Sequence, residues 1–292
     1  MRIFLNRYTI FPNAKINLGL NVYKKDESGY HELDTIMLPI DLKDELDILI
    51  FERIGNLKIV CSDENIPIDE KNILYKTYKL FFKKIKKENL EINVNLKKNI
   101  PSEAGLGGGS SDAAFFLKVL NEYYDDYFNM EDLKKIAFEI GSDVPFFLEN
   151  KASRIFGKGE KINILESRLE TNLILLKPNF GISTKLAYET FDELTEVKYS
   201  NLDEIEKGIL TNDIYLIEKN VENCLEQAVQ NNENIRILKS SLKAILPNKK
   251  FFMTGSGSVF FAFISENEKD FLETRIKTFL DNIKIFICKI KN

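Results

Sequence analysis

Tryptophan is absent from the 292 residues, and histidine occurs once, at His31. The first absence excludes nothing. The second removes every Ser-His or Cys-His nucleophilic mechanism except one that uses His31 itself. Cysteine is nearly as scarce: Cys61, Cys224 and Cys288 lie far apart, lack the paired spacing of a zinc site and, being odd in number, do not make a disulfide framework. A reducing, cytoplasmic setting suits such a chain. Basic residues number 41 against 45 acidic ones, a formal net charge of -4, so long-range attraction to nucleic acid is not expected. The basic run Lys83-Lys84-Ile85-Lys86-Lys87 falls at the end of an expected helix, where cations complement the macrodipole, and reads as a solvated face. No apolar run is long enough to span a bilayer. The first residues, Met1-Arg2-Ile3-Phe4-Leu5-Asn6-Arg7, meet polar groups too soon for a signal-peptide core.

What is present is ordinary globular composition, 44% hydrophobic and 29% charged, in a chain long for one domain and short for three. Apolar runs predict strands at Ala14 to Val22, Leu46 to Phe51, Leu57 to Cys61 and Glu91 to Leu96. Between the last two, Ile73, Leu74, Tyr78, Leu80, Phe81 and Ile85 form the stripe of an amphipathic helix over Asn72 to Lys86. Helices follow at Ser110 to Tyr123 and Met130 to Ile140, the latter ending at Gly141, and a short element opens at Asp143-Val144-Pro145. Beyond Lys151 the pattern changes. Strands are expected at Ser153 to Phe156, Ile162 to Leu165, Asn172 to Leu176, Phe251 to Thr254, Val259 to Phe263 and Ile283 to Lys289, with several helices between Lys185 and Leu246 and one near Glu268 to Leu280. The result is an α+β chain, with one domain over residues 1–160 and a second over 161–292.

The densest chemistry lies in Pro101-Ser102-Glu103-Ala104-Gly105-Leu106-Gly107-Gly108-Gly109-Ser110-Ser111-Asp112-Ala113-Ala114. Four glycines in five positions leave no Cβ to block close backbone approach, so successive N–H groups can converge on an anion. Ser110 and Ser111 then enter a helix whose N-terminal dipole favours phosphate. The competing account is a tightly turned linker, but glycines, paired serines and helix start coincide here. No Lys-Ser or Lys-Thr follows the glycines, so this is not a Walker A loop, and the third glycine and downstream acid of a dinucleotide fingerprint are missing.

The segment resembles the Pro-x-x-x-Gly-Leu-Gly-x-Ser-Ser-Ala motif of the GHMP kinases, in the longer form found in the diphosphocytidyl-methylerythritol kinases. Four further blocks are similar to that family, in its order: Ala14-Lys15-Ile16-Asn17-Leu18, Gly29-Tyr30-His31-Glu32-Leu33, Gly141-Ser142-Asp143-Val144-Pro145-Phe146-Phe147 and Thr254-Gly255-Ser256-Gly257-Ser258. The resemblance covers nearly the whole chain. It implies a two-domain GHMP architecture with the active site in the interdomain cleft. The implied reaction is phosphorylation by ATP, with Mg2+, of the 2-hydroxyl of a cytidine diphosphate-linked methylerythritol in the non-mevalonate isoprenoid pathway. ATP would lie along Pro101, Gly105, Leu106, Gly107, Gly108, Gly109, Ser110 and Ser111.

Alone, Lys15 reads as a strand lysine with its ammonium in solvent, and Asp143 as a helix N-cap ahead of Pro145. Beside a phosphate loop, the resemblance makes them the positive charge at the transferred group and the carboxylate that orients the hydroxyl and takes its proton. It also implies Asn17 near the reacting end of the substrate, Tyr30 stacked on the cytosine, His31 reading its polar edge, and Tyr188, after Gly181-Ile182-Ser183-Thr184, as a second face of the sandwich. Asn72 is either an adenine contact or a helix N-cap, and Gly255 to Gly257 either approaches the loop or simply turns a hairpin. Glu103 departs from the family, which commonly has glycine there; a carboxylate aimed inward would repel phosphate. Ser110 or Ser111 would reach Mg2+, and no carboxylate ligand is evident. A homoserine or mevalonate-type kinase would have no use for Gly29-Tyr30-His31, and a non-catalytic nucleotide binder no use for Lys15 with Asp143. Oligomeric state is not legible.

Overall fold

The computed structural model describes residues 5–27 and 29–291. In chain order its elements are β1 (Leu5–Ile10), β2 (Asn13–Lys25), β3 (His31–Lys43), β4 (Glu45–Ile54), β5 (Leu57–Cys61), α1 (Ile73–Ile85), β6 (Leu90–Lys97), α2 (Gly108–Tyr123), α3 (Met130–Ile140), α4 (Val144–Glu149), β7 (Ser153–Gly157), β8 (Lys161–Ile164) and β9 (Asn172–Pro178). They continue as α5 (Thr184–Asp192), α6 (Leu202–Thr211), α7 (Ile214–Asn220), α8 (Cys224–Ala228), α9 (Glu233–Ile245), β10 (Phe252–Met253), β11 (Phe260–Ile264), α10 (Lys269–Phe279) and β12 (Ile283–Lys289). Helix and sheet are mixed throughout, as the sequence predicts.

By packing, the chain divides into two units whose segments interleave. One takes the chain up to Ala14, Leu42–Ile100 and Gly107–Asn150; the other takes Lys15–Asp41, Pro101–Leu106 and everything from Lys151. The expected split at 160/161 follows sequence order, whereas these units do not.

The first unit is built on a sheet of order β1-β4-β6-β5, antiparallel except for the parallel pair β5 and β6. Strict alternation in β4 buries Leu46, Ile48 and Ile50 on one face, and β6 does the same with Ile92, Val94 and Leu96. Helix α1 starts where the Asn72 side chain accepts the Leu74 N–H at 2.8 Å. It buries Leu74, Tyr78, Phe81, Phe82 and Ile85, spaced at three and four residues, and ends with Lys83 and Lys84 in its last turn, as the macrodipole favours. Tyr78 ties helix to sheet, its hydroxyl donating to the Leu90 carbonyl at 2.7 Å, with the Gly55 carbonyl 3.0 Å away as the alternative acceptor. Helix α2 packs on α1 and α4, its face of Ala113, Ala114, Phe116, Leu117 and Leu120 wholly buried.

The second unit carries two sheets. One has the order β2-β3-β7-β8, and the other is an antiparallel sheet of order β10-β11-β9-β12. Strand β11 is buried along its whole length and β9 over most of its own, so both read as continuous apolar runs rather than alternations. Against them Ala187 and Phe191 of α5, Leu225 of α8, Leu238 and Leu242 of α9 and Ile276 of α10 complete a single core.

Candidate active site

In the second unit, β2 is buried without interruption from Lys15 to Val22 and yet contains Lys15, Asn17 and Asn21. Buried polar groups need partners, and theirs define a connected site. The Lys15 backbone N–H donates to the Leu106 carbonyl at 3.0 Å, tying the strand to the glycine-rich loop. The Lys15 ammonium donates to Asn17 Oδ1, and with the residue only 3% exposed the solvent-facing alternative for this lysine falls. Asn17 spends its remaining groups on two hydroxyls: its N–H on Thr254 Oγ1 at 2.9 Å and its Nδ2 on Thr35 Oγ1 at 3.0 Å. Thr254 in turn donates to the Gly105 carbonyl at 3.3 Å, and Thr35 to that of Gly19 at 2.6 Å.

The glycine motif near the C-terminus meets both of its competing descriptions. It is a hairpin turn, with Thr254 N–H on the Val259 carbonyl at 3.0 Å between β10 and β11. It also approaches the loop, for a Cβ on Gly255 would stand 3.2 Å from Gly105 Cα. Asn223, which sequence reasoning passed over, holds this turn by donating to the carbonyls of Met253 at 2.8 Å and Gly255 at 2.9 Å. Neither Asn223 nor Thr35 has a local motif that would single it out.

Glu103 adopts φ 49, the left-handed backbone that favours glycine, which explains why a glycine suits this position. Its carboxylate turns toward Gly181, where a Cβ would meet Oε2 at 2.8 Å. Nearby, burial lowers the pKa of the Lys177 ammonium while Glu103 works to raise it. Glu103→Gly trades about 1–2 kcal/mol of backbone strain against about 0.4–1 kcal/mol of added unfolded-state freedom. Urea denaturation is therefore expected to show a stability within about 1 kcal/mol of the parent.

His31 opens β3 with Nδ1 hydrogen-bonded and Nε2 buried without a hydrogen-bond partner. Nδ1 lies 2.7 Å from the Tyr23 carbonyl and so carries the proton that it donates there, while Nε2 faces Asp192 Oδ1 at 3.2 Å. Lys25 closes on the other Asp192 oxygen at 2.6 Å. The imidazole is flanked by Tyr188, with ring centroids 5.1 Å apart, and by Phe191 at 5.6 Å. Of the three residues expected around a cytosine, His31 and Tyr188 thus come together, with Asp192 as an unforeseen neighbour. Tyr30 is 64% exposed, and the Lys158 ammonium lies 4.7 Å from its ring centre.

In the first unit, Asn72 is the N-cap of α1, and its Nδ2 also donates to the Pro67 carbonyl at 2.6 Å. Of its two readings the cap is the one the contacts support. Residue Gly109 lies beside it: a Cβ there would meet only Ile73, at 3.8 Å. Gly107, at φ 69, precedes α2, and the first intrahelical bond runs from Ser111 N–H to its carbonyl at 2.9 Å. The N–H groups of Gly108, Gly109 and Ser110 therefore have no acceptor within the helix. Ser110 is half-buried, whereas Ser111 is fully buried and its hydroxyl has no hydrogen-bond partner. Of the two serines, Ser110 is the accessible one. Asp143 stands at the N-cap position of α4 in a right-handed helical conformation, and its carboxylate makes no cap bond; the capping alternative for this residue does not hold. Among the described residues no group of three or more His, Cys, Asp or Glu is arranged to hold a metal ion, and no helix is long and apolar enough to cross a membrane.

A family model described as the GHMP kinases N terminal domain matches residues 72–151, the stretch that runs from Asn72 through the loop to Asp143. A crystal structure of 4-(cytidine 5'-diphospho)-2C-methyl-D-erythritol kinase superposes with a TM-score of 0.78 at 25% identity, covering 98% of this chain and 100% of that one. Fold and loop together thus define a GHMP kinase. At the sequence level, a 4-diphosphocytidyl-2-C-methyl-D-erythritol kinase of Fusobacterium nucleatum is 54% identical over 294 residues, covering all of both chains. One from Clostridium tetani is 39% identical over 252 residues, covering 86% of this chain and 88% of its own. The chain belongs to the family of 4-diphosphocytidyl-2-C-methyl-D-erythritol kinases.

Proposed function

We infer that the chain transfers the γ-phosphoryl group of ATP to the 2-hydroxyl of 4-diphosphocytidyl-2-C-methyl-D-erythritol, giving the 2-phosphate and ADP in the non-mevalonate route to isoprenoids. The observation that carries this reading is the tie between Lys15 and the loop: a buried lysine on a rigid strand, bonded through its own N–H to Leu106. Phosphoryl transfer passes through a loose transition state in which positioning and charge matter more than covalent help from the protein. The Lys15 ammonium supplies positive charge for the transferred group, with Asn17 holding its direction. Asp143 orients the attacking hydroxyl and accepts its proton, which in a loose transition state leaves late. The N–H groups of Gly108, Gly109 and Ser110 take phosphate oxygens at the positive end of α2. Mg2+, when bound, would neutralise phosphate charge, and Ser110 is the hydroxyl that would reach it.

The acceptor's base is read in the second unit. Tyr30 offers an exposed aromatic face, and His31, held through Nδ1 by Tyr23 and flanked by Tyr188, keeps Nε2 as the polar atom left to read the base. Stacking of a base on an aromatic ring contributes about 1–3 kcal/mol. Tyr30→Ala is therefore expected to raise KM for the cytidine substrate roughly 5- to 150-fold, with KM for ATP unchanged in steady-state assays. The activity itself is tested by incubating the protein with Mg-ATP and the substrate, following ADP release and locating the new phosphate by NMR. Phosphate on the 2-hydroxyl supports the reading. ADP formed only with homoserine or mevalonate would keep the kinase and discard the role of Tyr30 and His31.

A further inference from the structure

Behind the first turn of α2 the first unit buries a charged cluster that phosphoryl transfer, as described, does not use. Lys98 follows β6, Asp44 joins β3 to β4, and Asp112 is the fifth residue of α2. Their side chains are 7%, 0% and 3% exposed. The Lys98 ammonium donates to Asp44 Oδ2 and to Asp112 Oδ2, the latter at 2.9 Å. The other oxygen of Asp44 accepts the N–H groups of Asn99 at 2.6 Å and Ile100 at 2.8 Å, the two residues that lead into the glycine-rich loop. The ammonium also lies against the start of α2, 3.3 Å from where a Cβ of Gly108 would be, with Ile100 Cγ2 at 2.9 Å from the same point.

This arrangement is not what stability alone would select. A cation beside a helix N-terminus opposes the macrodipole, and a buried ion cluster is often no better than apolar residues of the same shape. Burial opposes the Lys98 charge, yet Asp112 and Asp44 outweigh it and hold the ammonium above its ordinary pKa. Burial raises the Asp112 carboxyl, more than Lys98 lowers it, and Asp112 Oδ1 is buried without a partner. What the cluster does fix is geometry. It joins the residues entering the loop, through Asn99 and Ile100, to the helix leaving it, through Asp112, and so sets where the N–H groups of Gly108, Gly109 and Ser110 point.

We propose that Lys98, clamped between Asp44 and Asp112, is a positioning residue for nucleotide phosphate: it holds the first turn of α2 in register with the strand end that feeds the loop. The proposal rests on reading Gly105 to Ser111 as the phosphate loop. The Lys98 ammonium is taken up by Asp44 and Asp112, so on this proposal its loss acts through the loop, on phosphate affinity alone.

The test compares Mg-ADP and adenosine binding by calorimetry, together with steady-state kinetics, in the parent protein and two variants. Lys98→Met leaves two carboxylates facing one another and is expected to be destabilised. The double variant Lys98→Met with Asp112→Asn removes that repulsion and keeps the backbone donors on Asp44, so it provides a folded comparison. Expected for the double variant are a Kd for Mg-ADP raised about tenfold, a 1.4 kcal/mol change, and adenosine binding and KM for the acceptor within about twofold of the parent. A purely structural role would lower the folded fraction and the apparent kcat, leaving the Mg-ADP Kd of the folded molecules where it was. That result overturns the proposal, as does equal weakening of Mg-ADP and adenosine. Failure of the parent protein to bind Mg-ADP would sink the phosphate-loop reading as well, whereas parent-like binding by the double variant sinks only the role of Lys98.

Discussion

Asp143→Asn is expected to lower kcat about 10²- to 10⁴-fold, the range that a positioned acid or base contributes, with KM for ATP nearly unchanged. The amide keeps the size of the side chain and its hydrogen-bonding reach but cannot accept the hydroxyl proton. The Asp143 carboxylate makes no cap bond to α4, and because the amide is isosteric and keeps most of the side chain's hydrogen-bonding capacity, the melting temperature should move little. That combination separates chemistry from folding. Single-turnover measurement with radiolabelled ATP reads the first quantity and scanning calorimetry the second. Full turnover in the variant would remove Asp143 from the mechanism and return the site to a purely electrostatic one centred on Lys15.

The second large effect is expected at Gly105. Its backbone is at φ +72, and a Cβ there would lie 2.1 Å from the Thr254 carbonyl oxygen, a backbone atom that cannot move without dragging the hairpin held by Asn223. Gly105→Ala adds the left-handed penalty of about 1–2 kcal/mol to an overpacking cost of about 1–3 kcal/mol. A loss of roughly 2–5 kcal/mol is expected in chemical denaturation, along with loss of activity, because the same turn carries Thr254 to Asn17. Gly29→Ala is the control: φ there is +80, but nothing lies within 4 Å of the added carbon, so only the backbone penalty of about 1–2 kcal/mol remains.

Elements whose burial writes itself into the pattern were legible from sequence. Strand β5, helix α3 and strand β12 fall at the predicted residues, and α1 lies within a residue of its expected ends at each side. Two strands were missed for opposite reasons. Strand β1 pairs only with β4 and is largely exposed, so Asn6-Arg7-Tyr8-Thr9 shows no apolar face. Strand β3 does bury Thr35 to Ile40, but it opens with His31, Glu32 and Asp34 and contains Pro39, which together mask the run. At the site, motifs led to residues that share a local block, such as Lys15 with Asn17 or Gly105 with Gly107. Partners brought together only by the fold left no trace: Asn17 finds Thr254 across 237 positions, and Lys98 finds Asp44 across 54. A polar residue buried by long-range contact looks, in sequence, like any other.

The chain passes from one packing unit to the other five times, after residues 14, 41, 100, 106 and 150. No continuous fragment therefore contains the second unit without also containing most of the first. A polypeptide stopped at 160 would hold the first unit whole, while leaving Asn17, Ala104 and Gly105 without Thr254 and Val259, the residues of the β10–β11 turn that they bond. On a ribosome, Asn17 and Gly105 must wait for Thr254, about 150 residues after the loop has emerged, before their hydrogen bonds to it can close. Nascent-chain stalling experiments should accordingly find phosphoryl transfer, rather than nucleotide affinity, arriving late, near the end of synthesis.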